Sequence, residues 1–133
     1  MGRGAAMNWL RKTKRADIWD EAIDGPIGDI EAAKRIREIC RTAADSAEKV
    51  GKAGDRTNKK VQHEVERYER AARAAMEAAM KVSDELLRDA AVRQIVELCL
   101  KAGNITTAKT LFRAIQSKSI QEDVLREYPQ LQQ

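Results

Sequence analysis

Histidine and cysteine, which nucleophilic catalysis and zinc sites use most often, are few and scattered along the chain. His63 is the only histidine, and Gln62 and Glu64 beside it place it on a charged stretch of predicted helix. A nucleophile needs a base next to it, and a structural zinc site needs about four Cys or His ligands. Cys40 and Cys99, however, are the only cysteines and lie far apart in the sequence. The glycine-rich loops that bind nucleotide phosphates are missing from the sequence. We therefore predict a non-enzymatic protein with no catalytic residue, no resident metal and no cofactor.

A twelve-residue segment beginning at Asp20 and ending at Glu31 resembles the calcium loop of an EF-hand. Such a loop has oxygen ligands at its first, third, fifth and twelfth positions and a glycine at the sixth. Counting from Asp20, the fifth position is Asp24, the sixth is Gly25 and the twelfth is Glu31, but the third is Ala22, which has no ligand oxygen. The alternative is a polar turn between two helices, so calcium binding stays open.

Charge is distributed unevenly along the N-terminal half of the chain, although the net charge is only +4. Residues 1–16 carry five cations and no acid, and residues 17–31 carry six acids and no base. Basic side chains beside a tryptophan suit a nucleic acid, because cations bind phosphates and an indole stacks on a base. The residues of this nucleic-acid alternative are Trp9, Arg11, Lys12, Lys14 and Arg15, together with a basic face on the helix predicted near 30–60.

Apolar residues recur every three or four positions over most of the chain, which is typical of helices. A first long helix is predicted over about 30–50, with Asp29 as its N-cap. The longest pattern predicts one continuous helix over about 57–102. Its spacing alternates by four and three, as in a coiled coil, at Val61, Val65, Tyr68, Ala72, Ala75, Ala79, Val82 and Leu86. At Leu87 the pattern shifts by one position, which indicates either a stutter or a change of packing partner.

Short helices are predicted after this long one. Gly103 and Asn104 end it and cap a helix over 105–116, and Ser119 opens a last helix that ends before Pro129. The run Leu98-Cys99-Leu100-Lys101-Ala102-Gly103, followed by Ala108, Leu111 and Phe112, resembles the helix-turn-helix unit of pentatricopeptide and tetratricopeptide repeats. Because only one copy is present, the resemblance implies a helical hairpin over 90–116 and not a peptide-binding or RNA-binding solenoid.

These patterns predict an all-α protein, an antiparallel helical bundle or hairpin with one long central helix. Its parts are an N-terminal arm over 1–28, basic and then acidic, with a short helix, a bundle domain over 29–128 and a frayed tail over 129–133. The sequence contains no apolar run of about 20 residues and no apolar segment typical of a signal peptide. We therefore expect a cytoplasmic protein without stable membrane insertion; whether residues 1–6 are native is open, since Met7 is an alternative start.

The predicted function follows from the long alanine-rich seam. A helix of that length exceeds what its own chain covers, which favours contact with other helices. We therefore predict a protein–protein interaction module, such as an adaptor, inhibitor, chaperone or assembly factor, that self-associates into an oligomer. The residues predicted to contact the partner are Tyr68, Ala72, Ala75, Met76, Ala79 and Val82. The alternative for these residues is that they form the core of a single chain.

Overall fold

The structure is a computed structural model that describes residues 17–20 and 26–132 of the 133-residue chain. Over those residues it contains five α-helices and no strand, so the all-α prediction is confirmed. The helices are α1 (Asp29–Lys52), α2 (Lys59–Ala79), α3 (Glu85–Lys101), α4 (Ile105–Phe112) and α5 (Lys118–Glu127). Single 3-10 turns lie at Ile18–Asp20 and Pro129–Gln132. None of the helices in this part of the chain is long and apolar enough to cross a bilayer.

The first three helices form the centre of the bundle. α1 and α2 are antiparallel, and the contact between Ser46 and Arg67 lies along their interface. α3 runs parallel to α1, because Asp29 at the start of α1 meets Ser83 just before α3, whereas Gly51 near the end of α1 meets the carbonyl of Lys101 at the end of α3. α2 packs against both α1 and α3. Its buried face contains four small side chains, namely Ala71, Ala75, Ala78 and Ala79.

The prediction of one long helix over 57–102 is wrong, because the chain leaves the helix between Ala79 and Glu85. The last turn of α2 tightens, with the amide of Val82 donating to the carbonyl of Ala79 at 3.1 Å. Asp84 then caps α3 by accepting from the amide of Leu87 at 3.0 Å. Each of the two resulting helices is short enough to be covered largely by its own neighbours.

Asp29 fixes this corner from a distant part of the sequence. Its carboxylate accepts hydrogen bonds from the backbone amides of Ser83 at 2.8 Å and of Asp84 at 2.9 Å. These amide hydrogen bonds are the main reason why the pKa of Asp29 is lowered from its ordinary value of 3.8. Gly28, not Asp29, is the N-cap of α1, so the predicted capping residue has a different role. We call this interaction the Asp29 contact.

The turn between α3 and α4 follows the prediction. Gly103 has a φ of 74°, the left-handed conformation that glycine adopts without strain. Asn104 accepts from the amide of Thr107 at 3.3 Å and so caps α4. The helix ends at Phe112, earlier than predicted, and the cap of α5 is Ser117, two residues before the predicted cap.

A buried carboxylate explains why α4 ends early. Asp89 is 2 % exposed and accepts from the amides of Gln116 at 3.1 Å and Ser117 at 2.7 Å. The chain therefore leaves the helix to bring these amides to α3. The last residues also differ from the expected frayed tail, because Leu131 is buried within the turn Pro129–Gln132.

Candidate protein-binding surfaces

The six residues of the predicted seam belong mostly to the core of the single chain. The buried members are Tyr68, Ala75, Ala79 and Val82, and the half-buried ones are Ala72 and Met76. The hydroxyl of Tyr68 accepts a hydrogen bond from the side-chain amide of Asn104 at 3.0 Å, which ties α2 to the start of α4. Burial raises the pKa of this phenol. In this fold the seam joins the helices of one chain and offers little surface to another.

The acidic N-terminal segment pairs with α2 where the structure describes it. Asp17 binds Arg67 through a salt bridge of 2.9 Å, and Arg70 lies 3.7 Å from both Asp17 and Asp20. Arg67 also donates to the hydroxyl of Ser46 at 2.6 Å and lies 4.9 Å from the ring centroid of the buried Trp19. The residues around Asp17 are thus held against the middle of α2 by charge and by a cation–π contact.

The residues of the N-terminal arm that were predicted to bind a nucleic acid lie outside the described residues; they are Trp9, Arg11, Lys12, Lys14 and Arg15. Positions 21–25 of the EF-hand-like segment also lie outside them. Two carboxylates of that segment have partners elsewhere, since Asp20 lies beside Arg70 and Asp29 binds the amides before α3. Glu31 is exposed in the first turn of α1. Among the residues with a described position, no group of three His, Cys, Asp or Glu side chains is placed to hold a metal ion.

The basic face predicted near 30–60 is partly used within the fold. Lys49 lies 3.2 Å from Asp45 and 3.8 Å from Glu64, and Arg56 donates to the carbonyl of Ala102 at 3.4 Å. His63 is exposed on α2. Two cations of this face, Lys49 and Arg56, are therefore engaged within the fold, while Lys34, Arg37 and Arg41 are exposed on α1.

An apolar surface that the sequence analysis did not identify lies at the end of the bundle around the Asp29 contact. It consists of Ile30, Met80, Leu86 and Leu87, which are 75 %, 72 %, 63 % and 38 % exposed. Each lies within three residues of Asp29, Ser83 or Asp84, which the Asp29 contact brings together. We call these four residues the terminal apolar patch. The only signal in the sequence was the change of phase at Leu87, next to the helix break.

A second surface feature is a groove of about 350 Å³ between α1 and α3. Its floor contains Cys40, Ala44 and Leu98, and its rim carries Arg37, Arg41 and Lys101. We call it the α1–α3 groove. Burial, with a smaller effect from the neighbouring Cys99 thiol, raises the pKa of Cys40 to about 12. The Cys40 thiol is therefore protonated at neutral pH, unlike an activated nucleophile. The sequence did not identify the groove, because the pairing of α1 with α3 depends on the unexpected break before α3.

Taken together, the helices define an all-α bundle with two surface features and a buried polar framework. No protein-family model matches the sequence, and neither a curated protein nor a solved structure is significantly similar to it.

Proposed function

We propose that this chain is a non-enzymatic protein–protein interaction module that self-associates through the terminal apolar patch. The observation that supports the proposal is the exposure of four large apolar side chains at one end of the bundle. All four lie within three residues of the Asp29 contact, and exposed apolar side chains gathered at one end of a protein often mark an interaction site. The protonated Cys40 thiol agrees with a role other than nucleophilic catalysis.

A second copy of the chain suits this patch because its surroundings carry both signs of charge. A twofold interface places the same surface on both sides and must therefore be complementary to itself. Exposed acids and bases both lie within a few residues of the patch, namely Glu31, Lys34, Lys81, Asp84 and Glu85. Two copies turned towards each other would bring acids opposite bases around an apolar centre.

The expected affinity follows from the exposed fractions. They amount to about two and a half fully exposed side chains, and burying them stabilises an interface by roughly 4–7 kcal/mol per copy. Two copies gain about twice that value, while association costs about 4–15 kcal/mol. Because the gain and the cost cover overlapping ranges, the net free energy of association is small, and we expect a weak dimer that forms only as the protein concentration approaches the millimolar range.

Sedimentation velocity over a range of concentrations tests the proposal. The wild-type chain should change from monomer to dimer as its concentration rises into the Kd range. The double variant Met80→Glu with Leu86→Glu should stay monomeric, because dimerisation would bury unpaired carboxylates. The matched control is Thr106→Glu with Ala114→Glu, which adds the same charge at exposed positions outside the patch. Circular dichroism verifies that each variant is folded.

Two results would contradict the proposal. One is a wild-type chain that remains monomeric at millimolar concentration. The other is equal loss of the dimer in the patch variant and in the control variant, since that would assign the effect to net charge.

A further inference from the structure

The α1–α3 groove combines an apolar floor with a cationic rim. Leu98 is buried, Cys40 and Ala44 are half-buried, and the rim residues Arg37 and Arg41 are exposed one helical turn apart on α1. Lys101 completes the rim from the end of α3. The groove is therefore open to a ligand that brings both an apolar group and negative charge.

The rim cations have no carboxylate partner among the residues described here. The salt bridges of this part of the chain do not include Arg37, Arg41 or Lys101. Glu97 also lines the groove, but it lies 3.4 Å from Arg93 and accepts from the hydroxyl of Tyr128 at 3.5 Å. The three rim cations therefore outnumber the one carboxylate that lines the groove, and none of them forms a salt bridge with it.

The dimensions of the groove limit what it accommodates. Residues 37–44 span about 10 Å along α1 at 1.5 Å per residue. That length matches about two turns of a helix or three residues of an extended peptide. A groove of about 350 Å³ between two helices has room for one or two apolar side chains.

We propose that the α1–α3 groove binds a short acidic segment of a partner protein. One apolar side chain of this segment lies on Ala44 and Leu98, and two or three carboxylates pair with the rim cations. A nucleic acid fits less well, because Glu97 lies in the groove and no aromatic residue lines it for stacking on a base. This site lies further along α1 than the terminal apolar patch and does not depend on self-association.

Selection from a random peptide library displayed on phage, with the full chain immobilised, tests this proposal. The enriched peptides should share an apolar residue with two or three Asp or Glu residues close to it. The most enriched peptide is then synthesised with a fluorophore, and its Kd is measured by anisotropy. Replacing both arginines, Arg37→Gln with Arg41→Gln, should weaken binding about tenfold or more, which corresponds to 1.4 kcal/mol.

The matched control is Arg73→Gln with Arg113→Gln, which removes two exposed cations that do not line the groove. This control should change the Kd less than twofold, and the patch variant Met80→Glu with Leu86→Glu should bind the peptide as the wild type does. The proposal is overturned if no peptide is enriched, if the enriched peptides are not acidic, or if both arginine pairs matter equally. It is also overturned if a single-stranded oligonucleotide binds more tightly than the peptide and depends on Arg37 and Arg41, since the groove would then be a phosphate site.

Discussion

The replacement Gly51→Ala tests how closely α1 and α3 pack. A Cβ atom at this position would lie 2.2 Å from the carbonyl oxygen of Lys101 and 3.3 Å from its carbonyl carbon. Ordinary contact begins near 3.4 Å, so the helices must separate by about 1.2 Å at this point. The obstructing atom belongs to the backbone and cannot rotate away as the end of a side chain would.

The size of the effect is a balance of two contributions. Alanine is favoured over glycine by about 1 kcal/mol in a helix interior, and by less at Gly51, which lies in the last turn of α1. Overpacking a tight contact costs about 1–3 kcal/mol, and a backbone obstacle places Gly51→Ala in the upper part of this range. We expect a net loss of about 1–2 kcal/mol in the free energy of unfolding. For a chain of this length, that loss lowers the Tm by about 3–10 °C.

Gly54→Ala is the matched control because a Cβ atom there meets nothing within 4 Å. Gly54 also has a φ outside the positive region, so alanine fits its backbone. This control should leave stability unchanged or raise it by about 0.4–1 kcal/mol, since alanine restricts the unfolded chain. Urea unfolding and thermal unfolding measure both variants. If Gly51→Ala is as stable as Gly54→Ala, the close approach of α1 and α3 is refuted.

Three further predictions concern ionisable groups. Asp89→Ala leaves two loop amides without an acceptor and should lower the free energy of unfolding, measured in urea, by about 2–4 kcal/mol. The control Asp123→Ala removes an exposed carboxylate and should lower it by less than about 1 kcal/mol. Equal losses in the two variants would contradict the role of Asp89 in holding the loop. The lowered pKa of Asp29 means that its contribution to stability is present above pH 3.8 and is lost as the pH falls through that lowered value. Asp29→Asn should therefore show a shallower fall of Tm below pH 3.8, and a fall as steep as that of the wild type would argue against the Asp29 contact. Because the pKa of Cys40 is about 12 instead of 9.0, its thiolate at pH 8 is about a thousandfold scarcer than in the unfolded chain. Alkylation of Cys40 by iodoacetamide at pH 8 should therefore be slower in the folded protein than in the urea-unfolded chain by a similar factor. A folded-state rate within tenfold of the unfolded-state rate would contradict the raised pKa of Cys40.

The sequence predicted those turns and helix caps that depend on residues close together in the chain. The turn at Gly103 and Asn104 was identified because a left-handed glycine and a capping asparagine act within a few residues. The periodic apolar pattern also placed α1 and α4, apart from their ends, but it joined α2 and α3 into one helix. The break after Ala79 was missed, because the helix formers Met80 and Lys81 follow it without a glycine or proline.

The features that were missed depend on residues far apart in the sequence. The Asp29 contact that fixes the corner joins positions 54 and 55 residues apart. Asp89 interrupts the apolar pattern and is nevertheless buried, because the loop amides that it binds come from beyond α4. The two surface features could not be predicted for the same reason, since both result from the corner that positions α3.

The Asp29 contact also has a consequence for the order in which the chain folds. Closing a loop of 54 residues in an unfolded chain costs about 3.5 kcal/mol in entropy, beyond a constant term. The two hydrogen bonds of the Asp29 carboxylate are accessible to water, which competes for them, so they do little to favour early closure of this loop. We therefore expect the hairpin of α1 and α2 to form first, because it brings Asp29 to the far end of α2. The corner before α3 therefore forms late, and native-state hydrogen exchange should find the amides of Ser83 and Asp84 among those that open most readily.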